Sequence, residues 1–169
     1  MTTAMGKTDE GALEEGASEG AALSDAFLHA RSRDLKERLK RRRYEHVQGV
    51  SETAAALAEA YGADVRKARL AGLLHDWDKD YDDDGIRARA RELGVADDLD
   101  PYVFDAMPRL LHGPTAAAAL GRDYPGIPGD VLQSIARHTA AAIGINAMGK
   151  RSQAVINNIS YMPVVNPEI

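Results

Sequence analysis

Apolar residues recur with helical spacing over residues 24–61, the first strongly patterned part of the chain. They fall near one stripe of a helix surface, with positions Leu35, Leu39, His46, Val50, Ala54, Leu57 and Tyr61. The apolar pattern lapses at residues 41–44, which predicts a break there. Gly62 then predicts a helix end, because glycine readily adopts the left-handed conformation that terminates helices.

Shorter helical segments follow. Asp64 is a typical N-cap residue and predicts a helix over residues 65–75. Residues 85–93 form the next predicted helix, which Gly94 ends. Residues 97–101 are interpreted as a loop or the start of a helix.

The remaining pattern is also helical. Residues 115–120 are predicted to be helix, and the Pro and Gly residues of 125–129 predict a turn. Asp130 can cap a last helix that carries Ile135 and His138. The sequence shows no alternating strand pattern and no internal repeat, so we predict an all-α domain.

Composition agrees with a helical fold in one domain. The chain has 169 residues, of which 44% are hydrophobic and only 5% aromatic, and this length suits a single core. Residues 1–22 are rich in Gly, Ala, Glu and Ser, so we expect a disordered acidic tail there. We expect the helical bundle over residues 23–150 and a divergent C-terminal segment over residues 151–169.

Charge and absent residue types exclude several function classes. The net charge is −5, with no global basic field that would attract nucleic acid. The chain has no cysteine, which excludes disulfides and thiolate metal sites. No apolar run is long enough to span a bilayer, and we expect a soluble cytoplasmic protein.

A local basic cluster precedes His46 and consists of Arg38, Lys40, Arg41, Arg42 and Arg43. Charge runs of this kind usually form a solvated helix face, which is our interpretation. The alternative is a patch that attracts a polyanionic substrate.

Four of the five histidines lie on or beside apolar helical faces: His46, His75, His112 and His138. His29 lies in a polar segment, and we expect it at the surface. A single buried imidazole usually finds a hydrogen-bond partner in the core. Four in a small domain need four sets of partners, which one metal centre supplies together. The set therefore favours a metal site.

The pair His75-Asp76 ends the apolar run of residues 70–74. Neighbouring helix side chains diverge by about 100°, so both reach one metal only near a helix end, at a distortion, or when the metal lies between them. An imidazole beside a carboxylate suits iron, manganese or zinc, and the carboxylate can bridge two ions. Lys79 follows about one turn later, where it could meet a phosphate. The alternative is a surface lysine within the acidic stretch 78–84.

This ordered set resembles the HD-domain metal phosphohydrolases, and within them the YqeK family of symmetrical bis(5'-nucleosyl)-tetraphosphatases. Members of that family split diadenosine tetraphosphate into two ADP. The likeness covers roughly residues 35–139. It is carried by Arg43-Tyr44-Glu45-His46, Val50-Ser51-Glu52-Thr53-Ala54, Tyr61-Gly62-Ala63, Leu73-Leu74-His75-Asp76, His112-Gly113-Pro114 and His138-Thr139.

The resemblance implies an HD domain with a di-iron centre, with manganese or another transition metal as alternatives. His46, His75 and Asp76 would bind the first metal, and Asp76 would bridge to the second. His112 and His138 would bind the second metal. The implied chemistry is attack of metal-activated water on a phosphorus atom.

The resemblance also implies how the substrate is held. Asp76 and Lys79 would be catalytic, and Lys79 and His112 would contact the substrate. The expected partner is a nucleotide substrate. We expect the protein to bind neither nucleic acid nor a membrane, and we leave a homodimer open. Two alternatives remain: an HD phosphohydrolase of another nucleotide, or a degenerate member that binds a nucleotide or partner with little turnover.

The C-terminal region departs from the family pattern. The family continues after His138-Thr139 with a Gly-Arg pair and later an Asp that completes the first metal's ligands. This chain has alanine at 140–142 and Val-Ile-Asn-Asn at 155–158, and no acid occurs between Asp130 and Glu168. All four asparagines lie in the last 24 residues. We interpret this tail as out of register with the family, against a chance cluster, and expect weaker metal binding.

Overall fold

The computed structural model describes residues 18–143, and the side chains of residues 18–139. In this part of the chain there are eight α-helices, two short 3₁₀ helices and no strand, which confirms the all-α prediction. The α-helices are α1 (Glu19–Ala22), α2 (Asp25–Arg38), α3 (Arg41–Tyr61), α4 (Val65–Leu74), α5 (Asp83–Glu92), α6 (Pro101–Ala106), α7 (His112–Asp123) and α8 (Gly129–Ile143). The 3₁₀ helices are Ala96–Asp98 and Pro108–Leu110.

Predicted caps and stops fix the end of α3, the start of α4 and the end of α5. Asp64 accepts hydrogen bonds from the backbone N–H groups of Arg66 and Lys67. Gly62 ends α3 with a φ of 71°, and Gly94 follows α5 with a φ of 70°. Both φ values favour glycine, so these two helix ends follow directly from the sequence.

Other boundaries differ from the sequence prediction. The break between α2 and α3 falls at Leu39 and Lys40, which have extended backbones, instead of at residues 41–44. The helix α5 begins before residue 85, because the side chain of Asp82 accepts from the N–H of Gly85 and caps it. The helix α7 begins at His112 instead of residue 115.

The N-terminal end of the described chain is helical. Ser18 caps α1 by accepting from the N–H of Ala21, and Ala22 is fully buried. Helical structure therefore precedes residue 23, within the stretch where composition predicts a tail. The rest of that tail and the segment 151–169 lie outside the described residues.

The main core is built from α2, α3, α4, α7 and α8. Its large buried members are Leu35, Val47, Leu70, Leu73, Leu74, Trp77, Leu120 and Ile135. The helix α3 packs most extensively against α4, α7 packs against α8, and α4 joins the two pairs through α8. His46, His75, His112 and His138 lie on or beside these four helices.

Two glycines let these helix pairs approach closely. A Cβ atom on Gly72 would lie 2.9 Å from Ser51 Cα, and one on Gly113 would lie 2.9 Å from the carbonyl oxygen of Ala136. Gly72 lies three residues before His75, and Gly113 directly follows His112. Backbone contact of α3 with α4, and of α7 with α8, thus occurs beside the candidate site. Among the described helices, none combines the length and apolar character needed to cross a bilayer.

Candidate metal centre

The Asp76 carboxylate lies at the centre of the four histidines. Its Oδ1 is 3.2 Å from His112 Nε2 and 3.7 Å from His138 Nε2. Its Oδ2 is 3.5 Å from His75 Nε2 and 3.9 Å from His46 Nε2. Each carboxylate oxygen thus faces two imidazoles, and the five residues form two groups of three that share Asp76.

A helix end makes this arrangement possible. The helix α4 ends at Leu74, so His75 and Asp76 lie at the start of a turn that covers residues 75–80. Neighbouring side chains can converge there, as they cannot within a regular helix. His46 projects from α3, His112 is the first residue of α7, and His138 lies on α8. His29 is exposed, as expected.

Backbone hydrogen bonds fix the orientation of three of the imidazoles. The Nδ1 atoms of His75, His112 and His138 lie 2.7, 2.6 and 2.7 Å from the carbonyl oxygen three residues earlier in each case. A carbonyl oxygen only accepts, so Nδ1 carries the hydrogen and donates it. In the neutral imidazole, Nε2 then presents a lone pair towards Asp76. Metal-binding histidines are commonly oriented in this way.

The resulting donor set fits a metal ion. His112 Nε2 and His138 Nε2 lie only 3.0 Å apart, and both lie close to Asp76 Oδ1. Three lone-pair atoms that converge in this way repel one another unless a cation lies between them. Two imidazole nitrogens and a carboxylate oxygen suit a borderline transition metal.

The ionisation states of these residues also favour the binding of a metal ion. Burial lowers the pKa of the His46 and His112 imidazoles, which favours the neutral form that binds metals. Burial alone would raise the pKa of the Asp76 carboxyl, but hydrogen bonds from Nε2 of His112, His138 and His75, where that atom carries a proton, lower this pKa well below its usual range. A cation held between the same atoms acts in the same direction. Asp76 is therefore a carboxylate at neutral pH.

Two cationic side chains flank the cluster. Arg43 Nη1 donates to Asp76 Oδ2 at 2.9 Å, and the side chain is half-exposed. Lys79 Nζ lies 3.3 Å from His112 Nε2, on the other side of the carboxylate. Burial lowers the pKa of the Lys79 ammonium. The predicted lysine thus lies inside the site instead of on the surface.

The basic cluster before His46 divides between surface and site. Arg41 pairs with Glu45 and is solvated, as predicted. Arg43 instead faces Asp76, so the interpretation as a solvated face is wrong for this residue. The sequence carries a usable signal, because Arg43 precedes His46 by three residues and so shares its helix face.

One predicted feature lies beyond the described residues. Asn157 and Asn158 lie outside the described residues, which end at residue 143. The side chains of residues 140–142 also lie outside the described part. The expectation of weaker metal binding stays a prediction.

The chain is similar to known proteins over the region that contains this cluster. Residues 43–156 match the model of the HD domain family, a range that contains all five residues of the cluster. A Staphylococcus aureus protein named "Bis(5'-nucleosyl)-tetraphosphatase, symmetrical" is 41% identical over 105 residues, which cover 62% of this chain and 52% of that protein.

Two further relatives carry the same name. The Halalkalibacterium halodurans protein is 38% identical over 117 residues, and the Bacillus subtilis protein is 30% identical over 116 residues. Each alignment covers 69% of this chain and 60% of the relative. The chain thus matches between half and two thirds of the length of these relatives. On the match of residues 43–156, the chain belongs to the HD domain family.

Proposed function

We propose that this chain is a metal-dependent symmetrical bis(5'-nucleosyl)-tetraphosphatase, which hydrolyses diadenosine tetraphosphate to two ADP. The observation that carries the proposal is the convergence of four histidines on both oxygens of Asp76. The names of the relatives support a bis(5'-nucleosyl)-tetraphosphate as the substrate class and symmetrical cleavage as the reaction.

The proposed metal ligands follow the two groups around Asp76. His46, His75 and Asp76 would hold one ion, and Asp76 with His112 and His138 would hold the other. When bound, two such metal ions lower the pKa of water towards neutrality and stabilise charge on phosphate oxygens. Asp76 brings the negative charge that offsets two cations at close range. We propose iron as the metal, with manganese as the alternative.

The chain's own cations would hold the polyphosphate. Lys79 Nζ lies beside His112 and would donate a hydrogen bond to a phosphate oxygen next to the bond that breaks. Arg43 uses one of its five N–H donors on Asp76, so others can face a phosphate from the exposed side. His112 would contact the substrate from the metal side. Asp76 and Lys79 are thus the residues that we propose as catalytic.

The setting of the reaction is also a proposal. A nucleotide is the proposed partner, and we place the protein in the cytoplasm, without a role for nucleic acid. A homodimer is part of the proposal as an open alternative, and the site does not need a second copy because all five cluster residues come from one chain.

A second candidate function is binding without turnover. The departure at residues 140–142 and 155–158 favours it, because an Asn amide is a weaker metal ligand than an Asp carboxylate. Asn157→Asp and Asn158→Asp variants test this point. Higher metal occupancy or a higher rate in either variant would show that the chain lacks a carboxylate ligand. If neither variant gains occupancy or rate, the missing-ligand explanation is rejected.

Metal analysis of the purified protein, paired with product analysis on diadenosine tetraphosphate, tests the proposal. We expect bound transition metal and ADP as the nucleotide product. His138→Ala should lose both, whereas His29→Ala, which changes an exposed histidine, should lose neither. Bound metal without hydrolysis would favour the binding candidate. Hydrolysis of a different nucleotide alone would keep the site and reject the substrate.

A further inference from the structure

The turn of residues 75–80 sends four consecutive side chains into different surroundings. Asp76 faces the histidines and Lys79 lies beside His112. Between them, Trp77 packs into the main core with 4% exposure. Asp78 is buried as well, although the sequence places it in an acidic stretch typical of a surface.

Asp78 is a buried charge that the proposed chemistry does not use. Its side chain has no exposed area, and among the described residues it belongs to neither group of candidate metal ligands. Its Oδ1 lies 3.5 Å from Arg38 Nη2, and its Oδ2 lies 3.4 Å from Arg89 Nε. A carboxylate this deeply buried needs such partners, because its desolvation is otherwise uncompensated.

The two arginines tie the turn to two different helices. Arg38 ends α2, donates from Nη2 to the carbonyl oxygen of Trp77 at 3.4 Å and stacks 4.3 Å above the Trp77 ring. It therefore holds backbone, ring and carboxylate of the same turn. Arg89 approaches from α5 and is itself mostly buried. The turn that contains Asp76 is thus held by Arg38 from α2 and by Arg89 from α5.

We infer that Asp78 is a positioning residue whose buried ion pairs with Arg38 and Arg89 hold Asp76 and Lys79 towards the histidine cluster. The inference rests on the metal-binding part of the proposed function. Asp76 is adjacent to Trp77, so a turn released from Arg38 and Arg89 would let the Asp76 carboxylate move out of the narrow space between the imidazoles. Partners behind metal ligands commonly affect metal affinity through orientation of this kind.

The test is the affinity of the purified, chelator-stripped full chain for Mn²⁺, measured by calorimetric titration without nucleotide. Asp78→Asn keeps the side-chain shape and removes the charge, so its affinity should fall by about tenfold or more. The matched control is Glu92→Gln, which removes the other carboxylate partner of Arg89 on the exposed side. Its affinity should stay within about twofold of the wild type, since the turn keeps both arginines.

A second variant covers the case in which Asp78→Asn fails to fold. Arg38→Gln removes a half-exposed partner and leaves Asp78 paired with Arg89. We expect a several-fold loss of Mn²⁺ affinity, with a smaller loss in Arg38→Lys, which keeps the charge. Wild-type affinity in folded Asp78→Asn or Arg38→Gln, even with a lower melting temperature, would overturn the inference.

The same titration separates this inference from the proposed function. If the wild type binds Mn²⁺ but hydrolyses no dinucleotide, the proposed activity fails and the comparison of variants still decides the role of Asp78. If the wild type binds neither Mn²⁺ nor, in a parallel anaerobic titration, Fe²⁺, the metal site is wrong and the inference falls with it.

Discussion

Arg43 donates a hydrogen bond to Asp76, with 2.9 Å between Nη1 and Oδ2, although 33 residues separate the two in sequence. Arg43 lies in the first turn of α3, and Asp76 lies just after α4. The close packing of α3 on α4 brings them together. The contact places a guanidinium at the exposed edge of the cluster, where a polyphosphate would enter.

Arg43→Ala should weaken substrate binding with little loss of metal. Charge-assisted hydrogen bonds from a guanidinium contribute roughly 1.5–3 kcal/mol each, so we expect KM for diadenosine tetraphosphate to rise by about tenfold or more. Steady-state kinetics with metal analysis would measure this. Arg42→Ala changes an exposed neighbour and serves as the control. An unchanged KM in Arg43→Ala would exclude a phosphate contact.

Asp76→Ala should abolish hydrolysis and leave the helices folded. Among the described residues, Asp76 supplies the one carboxylate between the four imidazoles, so without it two cations would repel each other without compensation. We expect metal loss and a fall in rate of more than about 100-fold, given that even outer partners of metal ligands are worth 10–100-fold. Circular dichroism would check the fold. Activity near the wild-type level would reject Asp76 as a ligand.

Lys79→Ala should slow the reaction while metal content stays the same. The ammonium lies beside His112 but is not needed to hold an ion, and loss of one donor to a charged transition state costs about 10²-fold in kcat. Lys67→Ala is the control, because Lys67 pairs with Glu19 and Asp130 away from the cluster. Parallel losses of metal and rate in Lys79→Ala would indicate a structural role instead.

Gly72→Ala should destabilise the protein, because the new methyl group would meet the Ser51 backbone at 2.9 Å. Such overpacking typically costs about 1–3 kcal/mol of unfolding free energy. Gly49→Ala is a matched control on α3 with nothing within 4 Å, and it should stabilise by about 0.5–1 kcal/mol. Urea denaturation of both variants measures the difference. Equal stability of the two would show that α3 and α4 can separate without cost.

The sequence predicts the helices and the histidines well because their signals are local. Gly62, Asp64 and Gly94 act on their own turns, so the helix ends near them follow from residue type. His75, His112 and His138 stand out because a polar ring beside an apolar helix face needs a partner.

The stripe predicted through His46 is wrong, since His46, Leu57 and Tyr61 are exposed. The buried face of α3 consists of Val47, Ser51, Ala55 and Ala58.

The roles of Arg43 and Asp78 could not be predicted in the same way. Both lie within charge runs, where most members are exposed. Asp78 is buried only because Arg38 and Arg89, which lie 40 and 11 residues away in sequence, come together around the turn. Which member of a charge run turns inward depends on tertiary packing, and a local pattern does not contain that information.

Anomalous diffraction from crystals grown with Mn²⁺ tests the two-metal centre directly. We expect two peaks roughly 3.5–4 Å apart, one beside His46 and His75 and the other beside His112 and His138, with Asp76 between them. A single peak, or none among these five residues, would contradict the two-metal centre.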